Sequence, residues 1–256
     1  MDYIVLDIEF NGRKFASDKP MEVIEIGAVR LNDQLEEIDT FSALIKPVYF
    51  AKLNKFIRDK TGIVQEEIDQ AEGFKPVVTE FLAWLQKRSD YLLLTWGKED
   101  VKRIVFDTRM HEMDDSYWMA MQSLDLLKGY IKVKKHTNDI SVESALHELG
   151  IETDGVTHRA FEDARSTAQI FKAVFAELDL SAVSQYVDTY TNAKERRMVK
   201  NAMKTFRMQK IPLDWDQMYE KIIKTKITSE ETKKLEELRQ YFESEKENSL
   251  QATKSN

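Results

Sequence analysis

The stretch Tyr3-Ile4-Val5-Leu6-Asp7-Ile8-Glu9-Phe10 decides how the rest of the chain is read. A run of β-favouring and aliphatic residues ending in two acids predicts a buried strand. Side chains alternate along a strand, so Asp7 and Glu9 share one face while Leu6, Ile8 and Phe10 take the other. Two carboxylates side by side at the end of a buried strand are costly unless positive charge meets them. A bound divalent cation does this. On a solvated strand end, Arg13 and Lys14 just downstream do it too. Both readings stand on this segment alone.

Composition narrows the function classes. The 256 residues suffice for one mid-sized domain with an appendage. With 38 Lys and Arg against 45 Asp and Glu, the net charge of −7 excludes a globally basic nucleic-acid binder and leaves room for local basic patches. The absence of cysteine removes disulfides, thiolate zinc sites and cysteine nucleophiles, and agrees with a cytoplasmic, reducing setting. Any metal must therefore use oxygen or imidazole ligands. No apolar stretch approaches the length of a membrane-spanning helix, and strand-like sequence starts too early for a signal peptide.

Outward from the first strand, Asn11-Gly12 and the polar segment to Pro20 predict a turn and loop. Glu22 to Leu31 and about Thr40 to Lys46 predict two more strands in an antiparallel meander. Helical segments follow over Lys52 to Thr61 and Val64 to Ala71, interrupted by Gly62-Ile63. Val77, Val78, Phe81, Leu82 and Leu85 then mark an amphipathic helix against the sheet. Tyr91 to Trp96 reads as a buried strand, closed by Gly97 and followed by a helix to about Met113. Tyr117 to Met121 reads as a further strand with Ser123 capping a short helix, and Ser141 caps a helix stopped by Gly150. The next helix is expected from Thr157 to about Leu178. On it Asp163 shares a stripe with Thr167, Ile170 and Val174, and Ala160, Ala164 and Ala168 form a small face that lets the helix approach the sheet. Asp163 then comes toward the end of the first strand.

A fourth acid, Asp100, follows in Thr95-Trp96-Gly97-Lys98-Glu99-Asp100. An acid in the first turn of a helix is explained by the macrodipole alone, and His158 by a polar loop or helix start. Their joint order is less easily accidental: two acids on one strand, one after a later strand, and one on a helix just after a histidine.

Those residues, Asp7-Ile8-Glu9-Phe10, Thr95 to Asp100, and His158 with Asp163, resemble the three motifs of the DnaQ-like, DEDDh 3′-to-5′ exonucleases, with the His-x4-Asp spacing intact. Leu53 to Ile63 and Gly155 to Asp163 resemble connecting segments of the Eri and KapD-like branch. The resemblance covers about Met1 to Leu178. It implies an α/β, ribonuclease H-like fold, a mixed central sheet flanked by helices, carrying a metal-dependent 3′-to-5′ exonuclease that favours RNA. In that assignment Asp7 touches two metals, Glu9 and Asp163 complete one, Asp100 supports the other directly or through water, and His158 is the general base. Four carboxylates suit two Mg²⁺ ions, with Mn²⁺ as the alternative. Phe10 departs from the family, where many members carry threonine. Phe10 and Trp96 are candidates to pack on the terminal base or sugar of a single-stranded or 3′-overhanging nucleic acid, with core packing as the equal alternative. A DNA proofreading or repair exonuclease is the alternative enzyme. A catalytically weak nucleic-acid-binding regulator is the alternative from another class.

After Leu178 the composition shifts to a charged helical extension, residues 179–256, outside the resemblance. Lys194, Arg196, Arg197, Lys200, Lys204, Arg207 and Lys210 stand against Glu195 alone, while Met198, Val199, Ala202, Met203 and Phe206 form an apolar stripe. The face made by Lys200, Lys204 and Arg207 is either a solvated helix side or a grip on nucleic-acid backbone. Further helices are expected from Asp214 to Ile223 and from Ser229 to about Lys246, with a frayed end from Asn248 and a protein partner as one use for the extension.

Overall fold

The computed structural model describes residues 1–12, 21–152 and 158–254. The loop expected up to Pro20, any pairing by Arg13 or Lys14, and the segment Gly155-Val156-Thr157 lie outside the described residues. The strands are β1 (Asp2–Asn11), β2 (Glu22–Leu31), β3 (Glu37–Leu44), β4 (Tyr91–Thr95), β5 (Gln122–Asp125) and β6 (Ser184–Gln185). The helices are α1 (Lys55–Thr61), α2 (Gln65–Gln70), α3 (Phe74–Gln86), α4 (Glu99–Met110), α5 (Ser116–Ala120), α6 (Leu126–Lys134), α7 (Val142–Glu148), α8 (Ala160–Val174), α9 (Ala193–Met208), α10 (Trp215–Lys221) and α11 (Thr232–Lys254).

The six-stranded sheet runs β3-β2-β1-β4-β5-β6. The meander β1-β2-β3 is antiparallel, β4 joins β1 in parallel, β5 joins β4 in parallel, and β6 closes antiparallel. Alternation along β1 sorts the core into two layers. Ile4, Leu6 and Ile8 face Phe74, Val78, Phe81 and Ile104 of α3 and α4, while Tyr3 and Val5 face Ala164, Ala168 and Phe171 of α8. Asp7 and Glu9 continue the odd series, and therefore the α8 face.

Four local expectations are corrected. The segment Tyr117 to Met121 is helical rather than a strand. One turn directs the Tyr117 hydroxyl to Tyr91 at 2.5 Å and buries Trp118 against Phe81. The strand instead is β5, where Ser123 pairs with Leu93, so the cap of α6 falls to Asp125, whose carboxylate accepts the Lys128 N–H. The third strand begins at Glu37, earlier than expected, because its pairing with β2 extends to Leu31 across a bulge. The last helix starts at Thr232 and runs through Lys254 instead of fraying at Asn248.

Other local signals act where they are written. Ser141 caps α7 by accepting the Ser144 N–H, and Gly62 and Gly150 take the left-handed conformation after α1 and α7, with φ of 70° and 68°.

The chain divides into two compact units, Met1–Tyr186 and Val187–Asn256. The division falls after Tyr186 rather than after Leu178, since Leu178, Leu180 and Val183 pack on the core of the first unit and β6 extends its sheet. The second unit has its own core, in which Val199, Met203 and Phe206 of α9 meet Trp215 and Met218 of α10 and Leu238 and Phe242 of α11.

Candidate active site

The period of β1 puts Asp7 and Glu9 on one face, and α8 brings Asp163 to them. Each of the three offers a carboxylate oxygen within 4.8 Å of the others. The approach of α8 depends on Gly27, which pairs with Asp7 across β1 and β2. A Cβ at Gly27 would lie 2.2 Å from the Ala160 carbonyl carbon and the Phe161 nitrogen, so the helix backbone rests where a side chain would be. The small face expected of α8 is realised, with Ala160, Ala164 and Ala168 all buried.

Glu25 fixes where α8 begins. It is buried on β2 opposite Glu9, accepts the Ala160 N–H at 3.0 Å, and binds Arg159 through Nε at 2.9 Å and Nη2 at 2.7 Å. Arg159 is therefore extended, with φ −112° and ψ 131°, and the helix starts after it. His158 consequently precedes the helix instead of lying on it. Its Nδ1 is 3.7 Å from Asp163 Oδ2, and its side chain is 40% exposed, open to a reacting molecule.

Asp100 enters from the first turn of α4. Its carboxyl accepts a hydrogen bond from the Ile8 backbone, between Asp7 and Glu9, and it is buried. It stands outside the group of three and beside Asp7. The electrostatics of the cluster are those of crowded, poorly solvated acids. Burial first, then Asp100, Asp163 and Glu9, push the Asp7 carboxyl well above its ordinary range. Burial raises Glu9 to about 7 against the opposing pull of Lys60, and raises Asp100 to about 7 against its backbone hydrogen bonds. Burial also raises Asp163, while His158 and Lys60 pull it back.

Sequence reasoning missed Glu25, Gly27, Arg159 and Lys60. Lys60 Nζ reaches Glu9 Oε1 at 3.5 Å. Buried Asn11 helps place its helix, since its side chain binds the carbonyls of Phe50 and Lys52 and accepts the Asn54 N–H, and Asn54 caps α1. A signal existed for two of the four: an acid and a glycine inside an otherwise apolar strand mark a buried partner and a close backbone approach.

The other expected residues lie elsewhere. Phe10 faces the α3 and α4 layer, opposite Asp7 and Glu9, with the Arg103 guanidinium 5.1 Å from its ring centre. Trp96 donates its indole N–H to the Ile140 carbonyl at 3.0 Å and packs on Tyr130. Lys200, Lys204 and Arg207 belong to the second unit. There Lys200 pairs with Glu245 at 3.0 Å, Arg207 binds the Ser249 hydroxyl, and Lys204 is exposed.

A family model described as Exonuclease (RNase_T) matches residues 4–171. The chain is 28% identical over 159 residues to 3′-5′ exoribonuclease 1 of Mus musculus, covering 58% of this chain and 45% of that protein, so it spans about half the length of that relative. It is 26% identical over 175 residues to the probable 3′-5′ exonuclease KapD of Bacillus subtilis, covering 67% of this chain and 83% of that one. Among solved structures, the nuclease domain of 3′hExo, a DEDDh family member bound to rAMP, matches with a TM-score of 0.64 at 22% identity, covering 73% of this chain and 97% of that one.

Proposed function

Because the chain belongs to the exonuclease (RNase_T) family over residues 4–171, we propose that it is a metal-dependent 3′-to-5′ exonuclease that shortens single-stranded or 3′-overhanging nucleic acid, with RNA preferred to DNA. The observation that carries this is the convergence of Asp7, Glu9 and Asp163, three partly or fully buried acids whose oxygens lie within 4.8 Å of one another, with the Lys60 ammonium beside Glu9. Such a donor set fits a hard divalent cation, since carboxylates held together against desolvation and repulsion gain most from one. Asp7, Glu9 and Asp163 would hold one ion, and Asp7 with Asp100 a second; an oxygen-only shell favours Mg²⁺, with Mn²⁺ able to replace it. Divalent ions in such a site stabilise charge on the attacking and leaving oxygens of phosphodiester hydrolysis.

The chain's own residues supply the rest. His158 is the general base: with Nδ1 turned to Asp163, its Nε2 accepts the proton of the attacking water. Glu25, through Arg159 and the Ala160 N–H, holds the base and Asp163 in register. Lys60 damps repulsion at Glu9 and would lend positive charge to a nonbridging phosphate oxygen. The preference for RNA rests on the relatives, one named an exoribonuclease and one solved with rAMP. A cytoplasmic location fits the absence of cysteine. Among the described residues, no helix is long and apolar enough to cross a membrane.

The test is a time course on 5′-labelled RNA and DNA of matched sequence with Mg²⁺, Mn²⁺ or chelator. The expected result is stepwise shortening from the 3′ end, faster on RNA, abolished by chelator and by Asp163→Asn. Internal cuts, or activity that survives chelation, would overturn the proposal. His158→Ala is expected to lower kcat by about 10²- to 10⁴-fold with KM little changed.

A further inference from the structure

Glu22, Asp107 and His111 form a second group, outside the catalytic carboxylates, in which each residue offers one ligand atom within 4.8 Å of the others. Asp107 and His111 are four residues apart at the C-terminal end of α4, on one helix face, and Glu22 is the first residue of β2. Asp100 belongs to the other end of α4, about 10 Å away along the axis.

Asp107 is anchored through one oxygen and open at the other, whereas both oxygens of Glu22 accept backbone hydrogen bonds. Glu22 is buried and accepts the backbone N–H groups of Val48, Tyr49 and Phe50 at 2.6, 2.9 and 2.5 Å. Asp107 accepts the Val23 N–H through Oδ2 at 2.7 Å, but its Oδ1 has no hydrogen-bond partner although the residue is only 1% exposed. A buried carboxylate oxygen without a partner is expensive and requires an explanation. The His111 ring lies nearby, stacked on Phe74 at 4.9 Å with an interplanar angle of 10°. Its Nε2 is 3.5 Å from that Oδ1. This is long for a hydrogen bond, yet close to the roughly 3.3 Å that separates two ligand atoms in a tetrahedral shell with bonds of about 2.0 Å.

We propose that Glu22, Asp107 and His111 bind one structural Zn²⁺ ion that ties the start of β2 and the Val48–Phe50 backbone to the end of α4. One imidazole with two carboxylates is a borderline donor set that suits zinc better than magnesium or calcium. Three protein ligands leave a fourth position for water.

The test uses the full chain carrying Asp7→Asn and Asp163→Asn, so that retention by the catalytic carboxylates is disabled. Dialysis against Zn²⁺ followed by elemental analysis is expected to leave about one ion per chain, and Co²⁺ in its place to show the visible absorption of a four-coordinate site. Adding His111→Gln or Asp107→Asn removes both signals; asparagine keeps an acceptor for the Val23 N–H. If the parent variant retains no zinc, or retains as much with His111→Gln present, the site is not what we propose. Should Asp107→Asn fail to fold, the rise in Tm on adding Zn²⁺ decides: it must appear in the parent and vanish with His111→Gln. Since the catalytic ligands are disabled throughout, this result is independent of the exonuclease reading.

Discussion

Asp7 is held on its strand by packing that does not need its charge. Burial and three neighbouring acids already favour its protonated form in the metal-free chain, and asparagine is close to that form in shape. Asp7→Asn is therefore expected to leave Tm in chelator unchanged or slightly raised. Removal of an outer-shell partner commonly costs a metal site about 10- to 100-fold, so loss of a ligand should lower hydrolysis more than about 10²-fold. Full turnover by the folded variant would remove Asp7 from the site. The same crowding sets a pH dependence. Glu9 and Asp100 titrate near 7 in the folded chain against about 4 when unfolded, so between those values the folded state binds more protons. Stability of the metal-free protein should then fall as pH rises from about 4 to 7 and level off above. Added Mg²⁺ should raise Tm more at pH 8 than at pH 5.5, where protons compete for the carboxylates. A Tm in chelator that climbs with pH across this window would contradict the assigned cluster.

At the scale of elements, catalysis depends on how closely α8 lies on β2. Gly27→Ala places a methyl group against the backbone of Ala160 and Phe161, which cannot turn aside as a flexible side chain would. The helix must lift and carry Asp163 away from Asp7 and Glu9. Overpacking of this kind costs about 1–3 kcal/mol, and kcat should fall with it. Urea unfolding and steady-state kinetics measure the two effects. Gly73→Ala is the control, since no atom beyond its own chain neighbours lies within 4 Å of its added Cβ. Normal activity in Gly27→Ala would mean that packing on β2 does not set the position of Asp163.

At the scale of the whole molecule, the second unit offers a basic helix whose apolar side is already committed to its own core. In the pair of Lys200 with Glu245 the lysine is half exposed and the glutamate less so, and a surface pair of this kind adds little stability. The combined change Lys200→Gln, Lys204→Gln and Arg207→Gln should therefore keep the fold, as a matched Tm would show. If this face holds nucleic-acid backbone, the change raises KM on long substrates and leaves single-turnover chemistry at saturation nearly constant. The slope of log affinity against log salt should become shallower by about 0.7 for each phosphate of a single strand that the helix no longer neutralises. An unchanged slope would make the face a solvated helix side.

The sequence by itself determined what a few adjacent residues can encode. Period two along β1 placed Asp7 and Glu9 together and Phe10 opposite. Period 3.6 set the buried stripe of α8, and Ser141 capped its helix within three residues. Tertiary structure decided what depends on register between distant segments. The uniformly buried β2 carries no alternation to show which way Glu25 points, and only its pairing with β1 sets it opposite Glu9 and beneath α8. Lys60 reaches Glu9 because Asn11 ties the end of β1 to the segment before α1, a link across more than forty residues by sequence number. The aromatic run Tyr117 to Met121 has the composition of a strand, yet it is helical, with Trp118 stacked on distant Phe81 and the Tyr117 hydroxyl bonded to that of Tyr91. Local periodicity is legible because the backbone repeats it; partners far apart in the chain meet only once the sheet has fixed its order.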